Sequence, residues 1–164
     1  MSLEINLLFL IWVIGVIMIA FGVPSHKRHS FFVAFLTAQG MEWLAEILLL
    51  QFNVVSFPVR EFPKASEMSI TLMIFLLPLC CATYVIYEPK KKSWPIRILY
   101  LAFWANVMTW MEIMISHFTD LQDHKSYYWL VAMLLFSFEL IVANAVVRWF
   151  FHNSSLLQRD RRTV

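Results

Sequence analysis

The sequence predicts an all-α, polytopic integral membrane protein: about five transmembrane helices, with the N-terminus outside and the C-terminus cytoplasmic. Three observations carry that expectation. Of 164 residues, 60% are hydrophobic and 15% charged, whereas soluble domains run nearer about 45–50% apolar and about 25% charged. The excess is clustered, because residues 7–23 form an unbroken apolar run with no ionisable side chain. About 20 helical residues cross about 30 Å of hydrocarbon. There are only three glycines and no alternating short strands, which excludes the pattern of a transmembrane β-barrel. In lipid the helix is then the one open-chain structure that satisfies its own backbone polar groups.

The first span covers residues 5–23 and ends at Pro24. No basic residue precedes it and no small-residue cleavage site follows, so it reads as a span rather than a removed signal peptide. Gly15 and Gly22, one heptad apart, offer it a helix–helix contact. The second span, 31–51, is the polar one. Its ten strong hydrophobes favour insertion by roughly 4–5 kcal/mol, which Glu42 and Glu46 cancel at roughly 2.5–3.5 kcal/mol each. It needs neighbours that hide or protonate its acids. Residues 52–68, with Pro58 and Pro63, read as a loop outside the membrane or dipping into it.

The third span, 69–87, contains Pro78, which removes a backbone hydrogen bond and predicts a kink. The fourth covers 98–117 and the fifth 127–151. Residues 1–151 thus form a single transmembrane bundle, followed by a short basic cytoplasmic tail, 152–164. The adjacent Cys80 and Cys81 lack a disulfide or C-x-x-C spacing and read as small packing residues. Trp43, Trp104 and Trp110 read as packing inside the bundle, and His26 and His29 as headgroup contacts.

Orientation follows from Lys and Arg. Ten of the 13 fall in the loops after spans one and three or at the C-terminal end, counting Arg148 near the end of span five, and three fall on the other side. The run Lys90, Lys91, Lys92 is a topology signal with attraction to anionic headgroups. Trp94, Tyr100, Tyr127, Tyr128, Trp129 and Trp149 lie near predicted span ends, where aromatic belts form.

The sharpest functional signal is four acids inside spans: Glu42, Glu46, Glu112 and Glu139. Ionisable residues there face the bundle interior or a water-filled cavity, and mark function by default. Gln39, Glu42 and Glu46 follow i, i+3, i+7 and share one helix face, as do Asn106, Thr109, Glu112 and Ser116 on span four. At about 1.5 Å per residue, Glu42 and Glu139 fall near the midplane and Glu46 and Glu112 roughly 6 Å nearer the outside. This predicts two stacked acidic layers opening outward past His117, capped by Arg60. Gln39, Asn106 and Asn144 would supply a polar path inward. Grouped carboxylates cannot all ionise together in a low dielectric, so the cluster shares protons.

Such a cluster can pass protons, hold a cation or bind a basic or hydroxyl-bearing ligand. The alternative is structural: protonated glutamates bonding helix to helix, each contributing about 0.6–2 kcal/mol. No E-x-x-H pair is present, so the di-iron carboxylate signature is missing. No metal or other cofactor is expected. Nothing resembles a phosphate loop, a Ser-His-Asp arrangement or a nucleic-acid-binding surface.

The Val23-Pro24 end of span one, the acidic second span and Phe57-Pro58-Val59-Arg60-Glu61-Phe62 form a recognisable set. With the basic loop after Glu88-Pro89 and the acidic fourth span, the chain resembles a family of small, uncharacterised multi-span membrane proteins of spore-forming Gram-positive bacteria. The resemblance covers about residues 21–151. It implies a bacterial plasma-membrane location and assigns no chemistry.

The leading reading is a small channel- or transporter-like protein that moves protons or a cation, or couples them to a solute. Glu42 and Glu139 would form its midplane site and Glu46 and Glu112 its outer relay. The second reading is a non-transporting interaction or assembly protein whose polar faces await a partner subunit. Its sign would be a lipid-facing glutamate surface. The third is an intramembrane lipid-modifying enzyme in which Glu112 and His117 converge. The lipid bilayer is the expected partner, and five helices make a narrow bundle that suits a homo-oligomer or a membrane partner protein.

Overall fold

A computed structural model of the chain describes residues 3–52, 54–56, 71–90, 92–118, 123–124 and 128–160. Helix α1, Leu3–Ile17, widens into a π-helical turn, Met18–Gly22, and stops at Pro24. A 3-10 turn, Ser25–Lys27, leads into α2, Arg28–Gln51. A π-helical segment, Thr71–Leu76, runs directly into α3, Leu77–Tyr87. Helices α4, Trp94–Phe118, and α5, Tyr128–Asp160, complete the bundle. A two-residue antiparallel ladder joins β1, Val55–Ser56, to β2, Asp123–His124, tying the segment after α2 to the segment after α4.

Four helical stretches are long and apolar enough to cross a membrane: Ile5–Gly22, Ser25–Gln51, Trp94–Phe118 and Trp129–His152. The third predicted span is the exception. Its apolar helix, Ile74–Tyr87, is shorter, and the predicted start at 69 lies outside the described residues. The fifth span is expected to end at 151, and the helix that carries it continues to Asp160. At about 1.5 Å per residue, its 33 residues are longer than the hydrocarbon is thick.

Pro78 explains the irregular start of α3. It stands in the first turn of that helix, immediately after the π-helical segment. Proline has no N–H to give the carbonyl four residues back and its ring crowds it. That carbonyl belongs to Ile74, and it accepts instead from Gln39 Nε2 on α2 at 3.2 Å. A break in one helix is thus repaired by its neighbour, so that a freed backbone carbonyl keeps a partner.

Side-chain pairings set the helix directions. Trp12 Nε1 donates to Thr71 Oγ1 at 2.9 Å and Trp12 stacks on Phe75 at 4.0 Å. Further along, the Tyr87 hydroxyl donates to the Gly22 carbonyl at 2.5 Å. Positions 12 to 22 therefore run alongside 71 to 87 in the same sense. Gly15 permits the approach, because a β-carbon there would meet Phe75 Cζ at 2.6 Å. Gly22 makes no such close approach; a β-carbon would touch only Met18 of its own helix. Helix α2 runs the other way, with Lys27 Nζ bonded to the Ile86 carbonyl at 2.6 Å and Gln39 bonded to Ile74.

The core is built from small residues at helical spacing. Ala34 and Ala38 on α2, Cys81 and Ala82 on α3, Ala105 on α4, and Ala132 and Ala143 on α5 are all buried. Small side chains let helix backbones approach closely where no hydrophobic drive exists between helices in lipid. Isolated hydroxyls are satisfied locally: Thr37, Thr83, Thr109 and Ser137 each donate to the carbonyl four residues back, the usual device for a polar group within a helix. The outward faces carry large exposed apolar residues such as Phe9, Leu36, Leu99, Phe103 and Leu134, the surface expected to meet lipid.

Trp43 and Trp110 are a correction to the sequence reading, since both point outward from the bundle. One residue is about 100° of helix rotation. With Glu42 buried, Trp43 turns away; with Thr109 and Glu112 buried, Trp110 does the same. Only Trp104 packs inward, partly buried and edge-on to Tyr100.

Candidate functional site: a carboxyl-lined cavity

The helical repeat that buries the alanines also buries the acids. On α2 the buried series Ala34, Ala38, Glu42, Glu46 advances four residues at a time, so close-packing positions give way to carboxyls along one stripe. On α5, Ala132, Phe136, Glu139 and Ala143 form a second inward stripe, and Glu112 follows Ala105 and Thr109 on α4. Glu42, Glu46, Glu112 and Glu139 are 6%, 2%, 2% and 5% exposed. Three helices deliver four carboxyls to one place.

All four line a single cavity of about 410 Å³ between α2 and α5, with Glu112 contributed by α4. The Glu42 and Glu139 carboxyls are close enough to interact with each other across α2 and α5. Glu46 and Glu112 are close enough to interact electrostatically. One oxygen each of Glu42, Glu46 and Glu139 is buried without a hydrogen-bond partner (Oε1, Oε2 and Oε1 respectively). Buried polar atoms left unpaired in this way are rare and costly.

The rest of the lining is apolar. Leu44, Leu48 and Phe138 are 64%, 58% and 61% exposed and lie on the outward faces of α2 and α5. The cavity therefore opens sideways, between two helices, onto the apolar surface. An axial opening past His117 is not what the structure places here. His117 is exposed, packs edge-on against Phe118 and does not line the cavity. Arg60, its predicted cap, lies outside the described residues.

The predicted polar path is also dispersed. Gln39 serves Ile74, and Asn106 Nδ2 donates to the Ala102 carbonyl of its own helix at 2.9 Å. Asn144 belongs to a different site, at the end where α3 stops and α4 begins. There its Oδ1 accepts from Arg148 Nε at 3.2 Å.

That second site centres on Glu88, which sequence reading left unassigned. Arg97 donates to Oε1 at 2.7 and 3.0 Å, and Arg148 to Oε1 and Oε2 at 3.0 and 2.9 Å. Burial pushes the Glu88 carboxyl up, but hydrogen bonds from Arg148, Arg97 and Asn144 outweigh it and hold its pKa below the ordinary value of 4.5. With Lys27 Nζ over the Tyr87 ring at 5.3 Å, the basic segments after α1 and α3 and the end of α5 meet at one end of the bundle. Its sequence signal was present: Glu88, Arg97 and Arg148 fall on the same predicted side.

Cys81 is the other residue that sequence reading took only as packing. It is a fully buried free thiol, close enough to Glu139 to interact with it. Among the described residues no group of three or more His, Cys, Asp or Glu is arranged to hold a metal ion. The chain matches no protein-family model, no curated protein and no solved structure.

Proposed function

We propose that this chain is a small channel- or transporter-like membrane protein in which Glu42, Glu46, Glu112 and Glu139 move protons or a cation, or couple them to a solute. The observation that carries this reading is the meeting of four carboxyls from three helices in one cavity, with unpaired oxygens on Glu42, Glu46 and Glu139. Structural cross-linking needs partners for those buried oxygens, whereas a site that exchanges protons or a ligand is served by oxygens left uncommitted. Among the described residues no Lys or Arg lines the cavity to neutralise it.

Burial of the glutamates inside the chain's own bundle favours this reading over a partner-binding surface, which would leave them facing lipid. The enzyme reading asked Glu112 and His117 to converge, and His117 stands apart from the cavity.

The proposal includes five crossings, an outside N-terminus, a cytoplasmic C-terminus and a bacterial plasma membrane. Alternation of α1, α2 and α3 supports it, as does the gathering of Lys27, Arg97 and Arg148 at one end, opposite the β1–β2 ladder. The test is proton and cation flux in liposomes, with Glu42→Gln/Glu139→Gln beside the wild type. Flux that falls at least about tenfold, equivalent to about 1.4 kcal/mol, is the expected result. Equal flux in both proteins would sink the reading.

A further inference from the structure

The cavity's chemistry is divided in a way that a proton or a hydrated metal ion does not use. Four glutamates stand on its inner side within a lining that is otherwise apolar, and its mouth is Leu44, Leu48, Leu135 and Phe138. A bare proton needs no apolar vestibule, and a hydrated inorganic ion gains nothing from one. The unpaired Glu42 Oε1, Glu46 Oε2 and Glu139 Oε1 call for a ligand that donates hydrogen bonds as well as carrying charge. A quaternary ammonium carries charge and has no N–H to give. The volume, about 410 Å³, falls within the range of small-molecule sites, about 300–1,000 Å³.

We infer that the cavity binds a protonated primary or secondary amine bearing an apolar body, which enters sideways from the bilayer between α2 and α5. The ammonium seats against Glu42, Glu46 and Glu139, forming charge-assisted hydrogen bonds that are strong in a low dielectric. The apolar body stays among Leu44, Leu48 and Phe138. This inference rests on the proposed function and names the substrate class of the same site. Amphiphilic amines partition into membranes on their own, so lateral entry draws on a pool already concentrated in the lipid.

The experiment measures binding of 1-naphthylmethylamine by fluorescence to the full chain in liposomes, against protein-free liposomes. The neutral 1-methylnaphthalene and the quaternary (1-naphthylmethyl)trimethylammonium serve as comparison probes, and proton flux is followed in the same vesicles. Saturable binding of the primary amine is expected, at least tenfold tighter than either comparison probe and at least tenfold weaker in Glu42→Gln/Glu139→Gln. Leu44→Trp narrows the mouth from its outer side, where the residue is 64% exposed and outside the buried core. It should slow association at least fivefold while leaving the carboxyls in place.

No saturable binding beyond protein-free vesicles, or equal binding of the three probes, overturns the inference. Association unchanged in Leu44→Trp overturns lateral entry. Glutamate-dependent proton flux without amine binding would defeat this inference and leave the proposed function standing. Amine binding without any flux would defeat transport and leave the ligand class standing.

Discussion

Two regions of this bundle bury carboxylates, and they do so by opposite means. At the basic end one acid, Glu88, sits between two guanidiniums, with every contact at 2.7–3.0 Å. Deeper in the bundle four acids share a cavity that no cation lines among the described residues, and three of them keep an oxygen with no partner there. The first arrangement closes every bond it opens and locks α3, α4 and α5 together. The second leaves bonds open, a cost that a purely structural cluster would not carry. Burial alone therefore does not distinguish a strut from a site; the balance of donors and acceptors does.

That contrast can be broken first at the strut. Replacing both Arg97 and Arg148 with Ala leaves Glu88 buried and uncompensated, which should cost about 3–5 kcal/mol, read from denaturant unfolding of the reconstituted protein. A loss no larger than that of an exposed surface substitution would show that the two arginines are ornaments. Acid titration tests the same group without mutation. The Glu88 pKa is lowered on folding, so its contribution is fully present above the ordinary value of 4.5 and is lost as pH falls below it, through the folded value. Thermal stability of the wild type should therefore drop below about pH 4.5, and Glu88→Gln should flatten that part of the profile. An unchanged slope in the variant would remove Glu88 from the account.

A smaller effect is expected between the two regions, where α2 mends the proline break in the helix beside it. Gln39→Leu strands the Ile74 carbonyl and should destabilise by about 1–2 kcal/mol. Pairing it with Pro78→Ala, which restores the missing N–H, should recover most of the loss. Absence of that recovery would separate Gln39 from the break.

The smallest stability change belongs to the cavity. Glu42→Gln/Glu139→Gln keeps shape and supplies amide donors, so stability should stay within about 1 kcal/mol of the wild type, even as flux falls. A collapse comparable to the arginine pair would make the acids structural glue and reverse the comparison drawn above.

Much of this was legible in the residues. Apolar run length predicted helices of membrane-crossing size, because the hydrocarbon thickness sets that length. Helical spacing placed Glu42 with Glu46, and Glu112 with Thr109, on inward faces, because 3.6 residues make a turn in every α-helix. The same arithmetic, applied to neighbours, would have turned Trp43 and Trp110 outward. Glu88 escaped notice because it sits at a span end, where a single acid looks solvated until its partners are known.

What the sequence determines by itself is therefore local: which stretches are helical and apolar, which residues share a face, and where basic charge accumulates. These depend on covalent geometry and on transfer energies that each segment carries alone. The tertiary structure decided the rest. It brought Glu42 beside Glu139 across two helices, joined Glu88 to two arginines, assigned Gln39 to the Ile74 carbonyl, and turned the mouth of the acidic cavity toward the apolar outer surface rather than along the bundle axis. Those outcomes depend on how far each helix rotates and leans against its neighbours. That is set by the fit of small residues such as Gly15, Ala38, Cys81 and Ala143, whose partners lie on other helices and leave no periodic mark in the chain.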